Sequence, residues 1–161
     1  METGSTKIRG SNAKAHILIG LIDGLTIPFA LVAGLTGVFK PTSDIFAACI
    51  AMTVAFALIM GISAYMTGKK YEPSPFNLSA ALIITISYLV GGSFVAFPFL
   101  IFEDTKSAFS VSAVLTILAL LLTGYYNSKV YNVNPAAGAI RAAFTALLAA
   151  AVAIGVGRLF R

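Results

Sequence analysis

Charge is scarce in this chain. Of its 161 residues only 11% are charged, and just six are acidic. Cysteine is nearly missing: Cys49 stands alone, so no internal disulfide can form. Histidine is as rare, with His16 the single example. So little polar surface excludes a disordered segment and an ordinary soluble domain alike. What is present instead is apolar: 58% of the residues are hydrophobic and the mean hydropathy is +0.93. The length suits one domain, residues 1–161. The net charge of +5 reads as loops facing the cytosol, with no nucleic acid as partner.

Five apolar stretches run roughly over 15–39, 45–68, 78–102, 109–126 and 136–160. Each comes close to the ~20 residues that a spanning helix needs, and 109–126 is the shortest. The runs are continuous rather than alternating, which predicts helices and not a barrel. The links "KPTSD", "KKYEPSPFN", "EDTKSA" and "NSKVYNVNP" are short, so successive helices are antiparallel. The first run, about 25 residues, is longer than the core of a cleaved signal and reads as a true helix. The expected fold is an all-α integral membrane protein with five transmembrane helices. With the N-terminus cytosolic, Lys7, Arg9, Lys14, Lys69, Lys70, Lys129 and Arg141 lie inside, against Lys40, Lys106, Arg158 and Arg161 outside. Seven against four favours that orientation, with the C-terminus outside or lumenal. Arg141, one to two turns into the last helix, reads as an interfacial anchor.

The stretch "LIDGLTIPFALVAGLTG", residues 21–37, carries a carboxylate where none belongs. Asp23 follows Lys14 by nine residues, which puts it about 13 Å deep. A charge there costs at least ~2.5 kcal/mol, and the default explanation is an ion or proton pathway. The plain alternative is a carboxylate protonated or capped for packing. Pro28 cannot bond the Gly24 carbonyl, which leaves an acceptor beside Asp23 that suits a cation; otherwise it only kinks the helix. Asn12, His16 and Asp23, spaced by four and seven, align on one side of the first helix. His16 then has a proton or metal role, or is simply interfacial.

The second helix offers a partner for Asp23. Met60 precedes Lys69 by nine residues, which predicts a similar depth on an adjacent antiparallel helix. Met52 flanks the stripe of Cys49, Thr53 and Met60. Thioethers favour softer transition metals; the plain reading is that methionine fills gaps. Gly20 and Gly24 form a small-xxx-small pair, which predicts a homodimer with the first two helices at its interface.

At these residues the chain resembles a known family. "DGLTIPFALVAGLTG" is similar to the first-helix signature of the vacuolar iron transporter family. "IMGISAYMTGKK" resembles its second helix at Met60, Gly61 and Tyr65, and "SYLVGGSFVAFPF" its third at Ser87, Tyr88, Gly91, Gly92 and Pro98. The end "LLAAAVAIGVGRLF" suits its last helix, so the resemblance covers residues 12–160 in order. It implies a five-helix protomer acting as a dimer, with a cation path on the dimer axis lined by the first two helices. It also implies exchange of Fe²⁺, and often Mn²⁺, for protons, with Asp23 and Met60 at the positions used for the metal. The chain departs from the pattern where family members carry acids: near Asn12, at His16 and at Met52. An acidic cytosolic domain between the second and third helices is also replaced here by "KKYEPSPFN", with Glu72 its one acid.

The function read from the sequence is a proton-coupled Fe²⁺/Mn²⁺ transporter that exports metal from the cytosol, in a vacuolar-type or plasma membrane. It is not an enzyme and has no resident cofactor. Metal contacts are assigned to Asp23, Met60, Met52 and His16, and the pathway's framework to Gly20, Gly24, Pro28, Asn12, Gly91 and Gly92. The alternatives are a transporter of the same fold with a different or relaxed substrate, and a non-transporting module for membrane assembly.

Overall fold

The computed structural model describes residues 3–38, 41–71 and 76–159, and all regular structure among them is helical. The elements are α1 (Thr3–Thr36), α2 (Thr42–Tyr71), α3 (Phe76–Ala96), α4 (Pro98–Ile101), α5 (Thr105–Val130) and α6 (Pro135–Leu159). Five of them contain stretches long and apolar enough to cross a membrane: Ala13–Thr36, Thr42–Thr67, Leu78–Ala96, Thr105–Val130 and Pro135–Leu159. The protein is an integral membrane protein of five spanning helices, as the composition predicts. The side chains of residues 1–12, 39–40, 68–77 and 160–161 lie outside the described residues, and with them those of Asn12, Lys69 and Lys70.

The helix ends differ from the apolar runs for identifiable reasons. The third run, expected to reach 102, breaks at Phe97: Pro98 has no N–H for the ladder, and a separate turn, α4, restarts there. The fourth, expected over 109–126, is as long as its neighbours. Asp104 caps it, accepting hydrogen bonds from Ser107 N at 2.9 Å and Ser107 Oγ at 2.8 Å. Its far end closes with Asn132 at a φ of 53°. Val133 N donates to Ser128 O at 3.0 Å and Asn132 N to Lys129 O at 3.3 Å, the paired bonds of a left-handed helix stop. Polar residues at both ends are therefore helical without being apolar. Asn134 then starts α6, its side-chain oxygen accepting from Ala136 N at 3.0 Å, with Pro135 in the first helical position.

The end of the bundle where α1 starts, α2 ends and α5 meets α6 is called proximal below, and the opposite end distal. α1 is the hub. It packs on α3, α5 and α6 and only lightly on α2, while α2 packs chiefly on α3. The core joins Leu25, Phe29, Val32 and Ala33 of α1 to Cys49 of α2, Val95 of α3, Leu120 of α5 and Ala146 of α6. Phe29 stacks on Phe109 of α5 with centroids 6.0 Å apart and planes 4° from parallel. Most remaining apolar side chains point outward, as a lipid-facing surface requires.

The α1–α3 seam depends on missing side chains. A Cβ at Gly24 would sit 2.5 Å from the Tyr88 carbonyl oxygen, and one at Gly91 would sit 2.9 Å from the Gly24 carbonyl carbon. Gly92, next in line, faces Thr53 of α2. Gly20 is likewise closed by Ile84 and Ser87 of α3. The Gly20–Gly24 pair is thus used inside one protomer and is not free to join two, because α3 already takes the close approach that these residues allow. Pro28 is buried and does not end α1, which continues to Thr36.

Candidate functional site

Asp23 projects from the side of α1 away from the glycine seam. It lines an open cavity of about 450 Å³ bounded by α1, α5 and α6. Thr26 joins it from α1, Asn127 and Ser128 from α5, Tyr131 from the turn beyond α5, and Arg141 and Thr145 from α6. The cavity lies toward the proximal end, since its walls include the last turn of α5 and the loop after it. α5 and α6 meet closely beside it: a Cβ at Gly124 would sit 2.8 Å from the Gly138 carbonyl oxygen. No hydrogen bond or ion pair holds the Asp23 carboxylate among the described residues. The Asn127 Oδ1 is buried and also has no partner. The Asp23 carboxylate therefore lines the cavity unmatched, with the unpartnered Asn127 oxygen buried in its wall and Arg141 as the one described cation among the lining residues. The Thr145 hydroxyl is occupied, donating to the Arg141 carbonyl at 2.8 Å.

Tyr88 lies on the other side of Asp23, in the α1–α3 seam. It is fully buried, its hydroxyl has no hydrogen-bond partner, and it is within electrostatic range of both Asp23 and Cys49. Thr53, opposite Gly92, is buried as well, one turn along α2 from the Cys49 thiol that its side chain meets.

The other sequence candidates fall elsewhere. Met60 and Met52 are half-buried on α2 and do not line the Asp23 cavity, to which α2 contributes no described residue. Met60 lies less than a turn proximal of Asp23: Gly61 packs on Ala81 and Thr85 and Gly24 on Tyr88, and Met60 and Asp23 each sit one residue nearer to the other's level. The expected similarity in depth is thus approximate, and α3 stands between the two helices. His16 is half-buried with Nδ1 unpartnered and is not part of the cavity wall. Among the described residues no three His, Cys, Asp or Glu side chains converge as a ready metal cluster. Asn127, Ser128 and Tyr131 were missed because they read as the polar link after the fourth helix. Arg141, read as an interfacial anchor, is exposed near the start of α6 and also lines this cavity. A larger cavity of about 710 Å³ opens at the distal end, lined by Glu103, Asp104, Lys106 and Arg158. Its charged residues sit at the ends of the spans, where charge is ordinary, so depth rather than size favours Asp23.

Comparison with known proteins agrees with this architecture. The model of the VIT family matches residues 15–74 and 67–158, two segments that meet at the connection between α2 and α3. Similar curated proteins include vacuolar iron transporter 1 of Tulipa gesneriana, 26% identical over 88% of this chain and 85% of its own length. The protein of that name from Oryza sativa subsp. japonica is 23% identical over 88% of this chain and 83% of its own. The one from Arabidopsis thaliana is 25% identical over 85% and 82%. The alignment with the tulip protein runs over 209 positions, more than this chain has, so the relative carries residues that this one lacks. With the family model covering both halves of a five-helix membrane bundle, the chain belongs to the VIT family, whose members are transporters and not enzymes.

Proposed function

We propose that this protein moves divalent metal ions, Fe²⁺ or Mn²⁺, out of the cytosol in exchange for protons. One observation carries the reading: Asp23, alone among the described carboxylates in lying deep within a span, lines an open cavity and is held by no donor among the described residues. A packing carboxylate would be capped, since leaving it bare inside a bundle is costly. The relatives' printed names support a metal as cargo. The proximal end faces the cytosol, on the excess of Lys and Arg there. Asp23 holds either the metal or a proton, so each ion that binds must displace what the carboxylate held before. Arg141 competes with the metal as a tethered counter-ion.

One carboxylate is too few for a divalent ion, and no cluster completes the set among the described residues. We therefore propose a homodimer in which the second copy supplies the missing charge, with Met60 and Met52 acting from the α2 side and His16 at the proximal mouth. A cysteine placed at Ala30 should crosslink two protomers if α1 lies near the axis, whereas exclusively intramolecular or absent crosslinking excludes that arrangement. Within the Fe²⁺/Mn²⁺ pair, the cavity's carboxylate, amide and hydroxyl oxygens favour Mn²⁺. Competition between Fe²⁺ and Mn²⁺ during uptake into proteoliposomes separates the two.

The decisive measurement is proton release when Fe²⁺ or Mn²⁺ is added to solubilised protein in weak buffer. Wild type should release protons on binding. Asp23→Asn should stay folded, bind metal poorly and release none. Equal release by both proteins would remove Asp23 as the coupling group.

A further inference from the structure

We propose that the proximal groove between α1 and α5 is a binding site for one anionic phospholipid, a role independent of whatever the chain transports. The groove, about 470 Å³, is lined by Lys14, Ile17 and Leu18 of α1 and by Tyr126, Lys129 and Val130 of α5. Its chemistry is divided along its length. Lys14 is the second residue of its membrane span and Lys129 the second-last of its own, so both exposed ammonium groups stand at headgroup level. Ile17 and Leu18 lie about one turn deeper, roughly 5 Å into the hydrocarbon. Tyr126 is exposed beside them, an amphipathic ring of the kind that settles at a membrane interface.

The apolar part continues. Ile17 also lines a second trough, about 340 Å³, formed with Leu21 of α1 and Ile83, Ile86 and Val90 of α3. Its walls are almost wholly apolar and run toward the middle of the bilayer. Two apolar troughs that share the Ile17 wall, under a pair of cations, match two acyl chains under a phosphate. Among the described residues no carboxylate competes for the lysines: apart from Asp23, which lines the cavity described above, Asp44, Glu103 and Asp104 all lie at the distal end. A zwitterionic lipid carries its own cation and gains less from two ammonium groups than a lipid with net negative charge, for which the preference is about fivefold per lysine near the surface.

The chain has no tryptophan, so Tyr126→Trp places a single reporter on the groove. The labelled protein is reconstituted into phosphatidylcholine vesicles that contain a matched fraction of either brominated phosphatidylglycerol or brominated phosphatidylcholine. Quenching should be stronger with the brominated phosphatidylglycerol. The preference should disappear in Lys14→Gln/Lys129→Gln and survive in Lys14→Arg/Lys129→Arg. Native mass spectra of detergent-solubilised protein should show phosphatidylglycerol retained by wild type and lost from the glutamine pair, which checks the result without the reporter. Equal quenching by both lipids would reduce the groove to ordinary lipid contact and overturn the proposal. So would an absence of quenching by either, which would mean that protein, such as a second copy, covers the groove. A preference that persists in the glutamine pair overturns it too.

Discussion

The two faces of α1 are built on opposite principles. On one, Gly20 and Gly24 bring the backbone against α3, where any added atom meets main chain. On the other, Asp23 and Thr26 face a cavity in which a carboxylate and the Asn127 oxygen are unmatched. The faces adjoin in sequence, Asp23 beside Gly24, and the rigid one fixes the height and rotation of the open one. A carboxylate can stay exposed to an internal cavity because its neighbour holds the helix in place. The first prediction breaks the rigid face. Gly24→Val puts bulk into the Tyr88 backbone, which cannot rotate away as a side chain can. We expect a loss of about 3 kcal/mol, the upper end for overpacking, seen as a failure to recover monodisperse protein in detergent. A variant with wild-type yield and melting temperature would show that the seam is looser than the structure makes it.

The open face is tested at its positive charge. Arg141→Gln should fold normally, because the residue is exposed and no ion pair would be lost among the described residues. With the tethered cation gone, a divalent ion meets less repulsion in the cavity, and the KM for metal should fall. Arg141→Lys keeps the charge and should keep the wild-type KM. If both variants match wild type, Arg141 is the interfacial anchor that its place near the start of the last helix suggests.

The contrast between the faces also marks what could be read from sequence. The five spans follow from hydropathy, because bilayer thickness sets their length directly. Their ends did not follow: Thr105–Ser107 and Asn127–Lys129 are helical but polar, and only the caps at Asp104 and Asn132 set those limits. The glycine pair was recognisable as a place of close approach, but not which helix approaches. In lipid, faces within and between protomers are equally apolar, so composition does not separate them. Asp23 stood out because a carboxylate in a span is rare. Its neighbours Asn127 and Arg141 did not, since their place in the cavity depends on how α5 and α6 rotate when Gly124 and Gly138 draw them together.

A smaller effect is expected on α2. Met60→Leu conserves volume and apolarity, so stability should change by less than about 1.5 kcal/mol. Transport should drop, but by less than in Asp23→Asn, because Met60 lies outside the Asp23 cavity and acts across α3 or from a second copy. Rates measured side by side in proteoliposomes decide this, and equal rates for Met60→Leu and wild type assign the sulfur to packing.

The smallest effect belongs at the distal end, far from both faces of α1. The Asp104 carboxylate is held below the usual 3.8 first by the Ser107 hydroxyl and then by the Ser107 backbone N–H, with Lys106 adding a little. A folded value below the unfolded one means that this cap stabilises the start of α5 at pH above the unfolded value. The contribution is lost as pH falls through the folded one. Asp104 is fully exposed, so the effect should remain local. Amide exchange, compared after dividing out its intrinsic pH dependence, should speed up at Ser107, the residue whose N–H the side chain accepts, as pH falls below the ordinary carboxylate value. Asp104→Ala should show that faster exchange already at pH 7, whereas the Asp23 cavity and metal transport stay as in wild type. If Asp104→Ala instead slows transport, the distal end is coupled to the open face of α1, and the division of labour between the two faces does not hold.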